Sequence, residues 1–337
     1  MVIDLKTTVV GSYPVPDWLK ALPNEQTKVD ALVVAMRAQE SAGIDVISDG
    51  EIGRWNLARN APGGMVERFV ETMAGVQWGL SREQKREFRT RTDMAYRKSP
   101  PGVVVGPLGE GLLDLKSEWD QVRSLTGAPL KFTVTSPYML AKVTADDYYH
   151  DLEARVSAFA NVLASQVSDI DADILQIDEP NLAGSPQDGA LAAGGINHIL
   201  DTATTRETAV HLCFGNHDGQ TIQHGDYANL IDFMNQLQCD HLVLETTRRT
   251  PNDLDCLRDV RPEISIGIGV IDVKDLQIES AETVARRIEQ LSTLLGEERI
   301  TYVHPACGLR VLPREVADGK LCALVAGRNL FLDHQEN

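Results

Sequence analysis

The chain contains 337 residues, of which 43% are hydrophobic and 24% charged, and these proportions are typical of a folded globular protein rather than a disordered one. Its 49 acidic and 32 basic residues give a net charge of −17, which disfavours binding to nucleic acid or to an anionic lipid surface. No export signal is recognisable, and no stretch approaches the roughly 18 apolar residues that span a bilayer. The sequence therefore predicts a cytoplasmic protein without nucleic-acid or membrane partners.

Short β-branched runs recur along almost the whole chain and predict strands. The eight predicted strands are "TTVVGSY" (7–13), "IDVISDG" (44–50), "LKFTVTS" (130–136), "DILQIDE" (173–179), "TAVHLCF" (208–214), "HLVLETT" (241–247), "ISIGIGV" (264–270) and "ITYVHPA" (300–306).

Amphipathic segments of helical length lie between most of these strands. The helix after the first strand is predicted to end at Gly43, and another begins after Ser280 as N-cap and ends at Gly296. Eight alternations of strand and helix indicate an α/β fold, the parallel (β/α)₈ TIM barrel. Residues 1–337 are thus predicted to form a single barrel domain, with an inserted segment at about 52–129 between strands two and three.

Chemically reactive side chains fall at the carboxyl ends of these strands, where barrel enzymes place their active sites. Each one alone has an ordinary structural explanation, such as capping, a turn or packing. Their shared position at one mouth of the barrel favours a functional site. The residues concerned are Ser12, Glu51, Asp178, Glu179, His211, Cys213, Glu245, Asp272, Lys274, His304 and Cys307.

Four of these residues predict a metal site. His211 and Cys213 share one face of the fifth strand, while Glu245 ends the sixth strand and Cys307 follows the eighth. One nitrogen, two sulfurs and one carboxylate oxygen form a tetrahedral set that suits Zn²⁺. His304 and His217 are alternative ligands. The five cysteines (213, 239, 256, 307 and 322) are odd in number and widely spaced, which argues against disulfides.

Several separated motifs resemble the catalytic domain of cobalamin-independent methionine synthase. They are "TTVVGSYP", "LQIDEP", "HLCF", "LVLETTRR" and "VHPACGL", in the family's order and covering nearly the whole chain. The resemblance implies that zinc is held by His211, Cys213, Glu245 and Cys307 and binds the thiol of homocysteine. Coordination removes the thiol proton at neutral pH without redox chemistry.

The resemblance also assigns the remaining site residues. Asp178 matches the family aspartate that binds the substrate amino group, and Ser12 and Glu51 match positions that hold the amino-acid end of homocysteine. Lys274 stands where longer members have a histidine proposed to protonate the leaving group. A lysine could do so only with a lowered pKa, and it could instead bind an anionic group.

The chain departs from the folate-using members in two respects. It has room for one barrel rather than two, and "SPYMLAKV" offers Lys142 where those enzymes have a tryptophan that stacks on the pterin. The sequence therefore predicts a zinc-dependent homocysteine methyltransferase whose methyl donor is not a typical folate but another small molecule or a methyl-carrying protein.

Three other functions stay open. An epoxyalkane:coenzyme M transferase would use the same zinc site to add a thiolate to an epoxide, although Ser12, Glu51 and Asp178 favour an amino-acid thiol. A non-catalytic barrel could hold a structural zinc. A decarboxylase of the uroporphyrinogen type would share the fold but leave His211 and the two cysteines without a role.

Overall fold

The structure is a computed structural model that describes residues 4–91, 97–215 and 222–336. Within these ranges the strands are β1 Lys6–Thr7, β2 Ile47–Ser48, β3 Trp55–Asn56, β4 Ala61–Pro62, β5 Ala74–Gln77, β6 Val103–Gly109, β7 Leu130–Thr135, β8 Ala145–Asp146, β9 Ile174–Glu179, β10 Glu207–Leu212, β11 His241–Glu245, β12 Ser265–Ile271 and β13 Ile300–Pro305.

Eight of these strands form one parallel sheet in the order β1-β13-β12-β11-β10-β9-β7-β2. The two outer strands meet through a parallel bridge between Thr8 and Val46, so the sheet closes on itself. This closed ring confirms the predicted barrel, and each of its strands overlaps one of the eight predicted from the sequence.

The first two barrel strands are much shorter than predicted. Side chains replace part of the backbone ladder there: Thr8 Oγ1 donates to the carbonyl oxygen of Val46 at 2.8 Å, and Asp45 accepts hydrogen bonds from both the backbone and the hydroxyl of Thr7. These contacts let the chain leave the sheet early, so that residues 11–13 and 49–51 form the loops at the barrel mouth.

The helices surround the barrel and connect its strands. They are α1 Asp17–Ala21, α2 Glu25–Ala42, α3 Glu67–Val70, α4 Arg82–Phe88, α5 Leu115–Leu125, α6 Pro137–Val143, α7 Leu152–Val167, α8 Gly189–Leu200, α9 Ile231–Met234, α10 Pro251–Asp255, α11 Ala281–Leu295 and α12 Arg314–Glu336. Gly43 ends α2 in a left-handed conformation with φ of 85°, and Ser280 and Gly296 cap α11 as predicted. No helix in the described ranges is both long and apolar enough to cross a membrane.

The segment between β2 and β7 combines inserted elements with a barrel helix. A hairpin of β3 and β4 and the antiparallel pair of β5 and β6 form its first part. Strand β8, which follows β7 in the chain, pairs with β6. Helix α5 packs on the barrel itself, since the Trp119 ring meets Phe132 of β7 edge-on at 5.9 Å and the backbone of Leu115 donates to Gln166 of α7. This packing supports our proposal of one barrel domain with an insertion.

Apolar residues form two separate clusters. The larger one lies between the barrel and its helices and includes the alternate residues Val210 and Leu212 of β10. The smaller one lies inside the barrel, on the strand face that also carries His211. It consists of Val10, Val46, Ile174, Ala209, Val243 and Tyr302.

Candidate metal and substrate site

A cavity of about 560 Å³ opens at the carboxyl ends of the barrel strands. Six of the eight residues to which the resemblance assigns a metal, substrate or catalytic role line it. They are Ser12, Glu51, Asp178, His211, Cys213 and Cys307. The inserted segment contributes to the outer wall with residues 62, 64–67 and 97–99, and the loop after β13 contributes Arg310 and Val311.

His211 projects into the barrel from β10 and is held by a neighbouring strand. Its Nδ1 lies 2.8 Å from the carbonyl oxygen of Val243 in β11, which can only accept a hydrogen bond. Nδ1 therefore carries a proton, and Nε2, which lies 4.0 Å from Cys307 Sγ, is the nitrogen that offers a lone pair to a metal ion when the ring is neutral. This tautomer is the one that binds metals through Nε2, with the other ring nitrogen oriented by a backbone carbonyl.

The two thiols of the cluster come after two different barrel strands. Cys213 follows the last residue of β10, and the backbone N–H of Gly215 donates to its sulfur at 3.4 Å. Cys307 follows β13. One ligand atom from each of His211, Cys213 and Cys307 lies within 4.8 Å of the others, which is close to the roughly 3.8 Å between sulfurs around a tetrahedral zinc ion.

The local electrostatics favour one thiolate in this cluster. The pKa of Cys307 is held well below its usual value because Cys213 donates a hydrogen bond to it and His211 lies close by, and these effects outweigh burial. The pKa of Cys213 is raised for the complementary reason, since it is the hydrogen-bond donor to Cys307 and is also buried. All five cysteines of the chain are free of disulfides.

Glu245 and Lys274 contact each other beside the cluster. Glu245 ends β11, and its Oε1 lies 2.7 Å from Lys274 Nζ, with only 4% and 1% of the two side chains exposed. Glu245 Oε2 is buried and has no hydrogen-bond partner among the described atoms. Neither residue is among those that line the cavity. Glu245 thus lies outside the compact group of three ligands, with one oxygen still unsatisfied.

The predicted substrate residues form a second group in the cavity, next to the thiol cluster, since Asp178 of β9 is the sheet neighbour of His211. Asp178 is buried at the end of β9, and burial raises its pKa to about 6. Glu51 has a left-handed backbone with φ of 57°, and its Oε1 lies 3.1 Å from a guanidinium nitrogen of Arg54 and accepts a hydrogen bond from Thr133. One buried and one partly buried carboxylate therefore line the same cavity.

Ser12 borders this carboxylate pair and packs against Gly308. A Cβ atom at position 308 would lie 2.1 Å from the Ser12 hydroxyl, so a larger residue there would displace this hydroxyl. The backbone N–H of Leu309 also donates to the carbonyl oxygen of Ser12 at 2.8 Å. The loops after β1 and β13 are thereby joined, which places the Ser12 hydroxyl next to the thiol cluster.

The alternative ligands lie elsewhere. His304 has Nδ1 2.7 Å from the carbonyl oxygen of Pro305, its Nε2 is packed toward Gly267, and burial lowers its pKa to about 3. His217 falls outside the described residues. Lys142 lies 2.9 Å from Asp188 on the outer side of α6 and does not line the cavity.

The sequence reasoning missed the residues that hold the carboxylates. Arg54, Lys131 and Gln176 are buried polar side chains, and the last two lie within the buried strands β7 and β9. Gln176 and Asp178 are two residues apart in "LQIDEP", so their side chains lie on the same face of β9, the face inside the barrel. A charged or amide residue on the inner face of a buried strand is the pattern that could have identified them.

The fold and the site together define a (β/α)₈-barrel protein that can hold a soft metal ion at its mouth. Residues 5–327 match the family described as "Cobalamin-independent synthase, Catalytic domain", and the chain belongs to this family.

Methionine synthases of two archaea are similar over almost their full length. The chain is 29% identical to that of Thermococcus kodakarensis, with 96% of this chain and 92% of the relative covered, and 30% identical to that of Sulfolobus acidocaldarius, with 96% and 91% covered. In fold, the chain is similar to a B12-independent methionine synthase from Shewanella sp. W3-18-1 solved with selenomethionine. The TM-score is 0.80 at 24% identity, over 98% of this chain and 99% of that one.

Proposed function

We propose that this protein is a zinc-dependent methyltransferase that methylates the thiol of homocysteine to give methionine. The observation that carries the proposal is that a His–Cys–Cys cluster lines the same cavity as the carboxylates of Asp178 and Glu51. Homocysteine carries a thiol and an amino group a few bonds apart, so one molecule can reach both ends. The similarity to archaeal methionine synthases supports the same conclusion.

The donor set fits zinc. Two thiol sulfurs and an imidazole nitrogen are preferred zinc ligands, and the unsatisfied Oε2 of Glu245 supplies a candidate for the fourth position. We propose that His211, Cys213, Glu245 and Cys307 hold the ion. When bound, zinc would lower the pKa of a substrate thiol so that it is present as the nucleophilic thiolate.

The chain's own residues would orient the substrate. Asp178 and Glu51 present negative charge to the amino group, and the Ser12 hydroxyl can donate to the carboxylate. Fixing the amino and carboxylate groups of homocysteine would place its sulfur at the metal cluster. The methyl donor would then approach this sulfur from the open side of the cavity. Such positioning lowers the barrier of a bimolecular transfer.

Lys274 is better placed to balance charge than to deliver a proton. It does not line the cavity, whereas its ammonium group lies against Glu245. We propose that it stabilises the buried carboxylate and keeps Oε2 available. Proton delivery by Lys274 to the leaving group stays a prediction.

The site disfavours the two main alternatives. Coenzyme M carries a sulfonate, which Asp178 and Glu51 would repel at the position where they would attract an ammonium group. A structural zinc would be closed off from solvent, whereas here the cluster lines an open cavity.

We propose a methyl donor other than a typical folate, because Lys142, which replaces the stacking tryptophan, is directed to Asp188. A cytoplasmic location and the lack of nucleic-acid partners stay predictions.

Metal analysis and a paired thiol assay test this function. The purified protein should contain about one zinc ion per chain and should methylate homocysteine, but not coenzyme M, with at least one donor from a panel of methylated folates, methylcobalamin proteins and sulfonium compounds. Epoxides are tested in parallel. Absence of zinc, or product formation only from coenzyme M and an epoxide, would contradict the proposal.

A further inference from the structure

A chain of buried polar side chains leads from the interior of the barrel to Asp178. Lys131 of β7 donates from Nζ to the side-chain oxygen of Gln176 at 2.8 Å and to the carbonyl oxygen of Val9 at 2.8 Å. Gln176 of β9 donates from Nε2 to Asp178 Oδ1 and to the carbonyl oxygen of Val10, both at 2.7 Å. Lys131 and Gln176 do not line the cavity, whereas Asp178 does.

The chemistry of the partners fixes which way the Gln176 amide faces. An ammonium group can only donate, so it must face the amide oxygen. The Val10 carbonyl and the Asp178 carboxylate accept, so they must face the amide nitrogen, whose two hydrogens are then both used. Rotating the amide by 180° would break three hydrogen bonds in a buried environment. Lys131 and the Val10 carbonyl therefore both hold Gln176 in the orientation that presents an N–H to Asp178.

This series of hydrogen bonds joins two ionisable groups, Lys131 and Asp178, whose pKa values are both shifted. Burial disfavours charge on both ends: it raises the pKa of Asp178 to about 6 and lowers that of Lys131 to about 7, while their mutual attraction opposes the latter shift. A buried lysine is costly to retain where a methionine would fill similar space. A lysine that is only 1% exposed inside the barrel therefore calls for a function of this side chain.

We propose that Lys131 is a positioning residue that acts through Gln176 to hold the Asp178 carboxylate at the cavity wall, and that it thereby sets the affinity for the amino group of the substrate. The inference rests on the proposed function, since it assumes that Asp178 receives the amino group of an amino-acid thiol. Lys131 itself touches neither the substrate nor the metal ligands, so its effect is confined to amino-group recognition.

Two thiols that differ only in the amino group separate this role from a structural one. Homocysteine and 4-mercaptobutanoate share the thiol, the chain length and the carboxylate. Their dissociation constants for the zinc-loaded protein are measured by calorimetry, together with zinc content. In Lys131→Met we expect homocysteine binding to weaken about tenfold, which corresponds to one hydrogen bond to a charged group, while binding of 4-mercaptobutanoate changes less than about twofold.

A second variant guards against a failure of Lys131→Met to fold. Gln176→Glu keeps an acceptor for Lys131 but cannot donate to Asp178, and it should show the same selective loss. Lys320→Met serves as the matched control, because Lys320 is likewise fully buried, bonded to Glu279 at 2.8 Å and to the Gln277 carbonyl, and distant from the cavity. It should leave both dissociation constants unchanged.

The outcomes are distinct. Equal weakening of both thiols, or no change in either, in a folded Lys131 or Gln176 variant would overturn the positioning role while the proposed function stands. If the wild-type protein bound neither thiol, both the proposed function and this inference would be wrong.

Discussion

Two adjoining groups of functional side chains line the cavity, here called the thiol end and the carboxylate end, and they are held in place in different ways. The thiol end, consisting of His211, Cys213 and Cys307, is held mainly by backbone groups such as the Val243 carbonyl and the Gly215 N–H. In the carboxylate end, which consists of Ser12, Glu51 and Asp178, the two carboxylates are held by the buried side chains of Arg54 and Gln176. Substitutions at the first end should therefore change metal binding, and those at the second should change the choice of substrate.

The largest expected effect is loss of the metal in Cys307→Ser. A neutral hydroxyl is a poor replacement for a thiolate. Loss of a residue that merely orients a metal ligand lowers metal affinity by up to about 100-fold, so loss of a ligand itself should lower zinc affinity by more than this. Competition with a chelator measures it. Cys256→Ser is the matched control, because its side chain only donates to the Asp253 carbonyl, as a serine can. Full zinc content in Cys307→Ser would show that the thiol end is not the metal site.

The next effect concerns the pair that lies beside the thiol end. Lys274→Met leaves Glu245 charged and buried, so metal-free protein should lose about 3–5 kcal/mol of stability in urea unfolding. Adding Glu245→Gln should restore most of the loss. Arg248→Ala, which breaks an ion pair in which 47% of the arginine side chain is exposed, should cost less than about 1 kcal/mol. Equal losses in the two single variants would argue against charge balancing by Lys274.

The carboxylate end should affect the substrate but not the metal. Asp178→Asn removes a charge-assisted contact to the amino group, so the KM for homocysteine should rise about 10- to 100-fold. Zinc content should equal that of the wild type. A variant that loses zinc in proportion to activity would show that the two ends do not act separately.

The smallest effect is a pH dependence at the carboxylate end. Because the pKa of Asp178 is raised to about 6, its carboxyl group becomes neutral as the pH falls through this value and attracts an ammonium group less. Homocysteine binding should weaken about tenfold relative to 4-mercaptobutanoate between pH 7 and pH 5. The comparison with the second thiol removes effects of protonating the metal ligands. A ratio that does not change with pH, or a change that persists in Asp178→Asn, would contradict the assignment.

The sequence was most informative about the barrel and the thiol end. The eight strands were found because β-branched runs separated by amphipathic helices leave a periodic pattern in the chain. The cluster of His211, Cys213 and Cys307 was predictable because imidazole and thiol groups are rare, and strand parity gives the direction of the first two. The short first strands were not predictable, since hydrogen bonds from Thr7 and Thr8 to residues 45 and 46 replace the ladder.

By itself, then, the sequence determined the fold and the identity of the groups that meet at the barrel mouth. Only the tertiary structure decided how those groups are arranged: Glu245 contacts Lys274 beside the three-residue cluster, and Lys131 reaches Asp178 through Gln176. The physical reason is the range of each interaction. Periodicity and strand parity are local properties of the chain, whereas a buried hydrogen bond between residues on different strands depends on the register of the closed sheet.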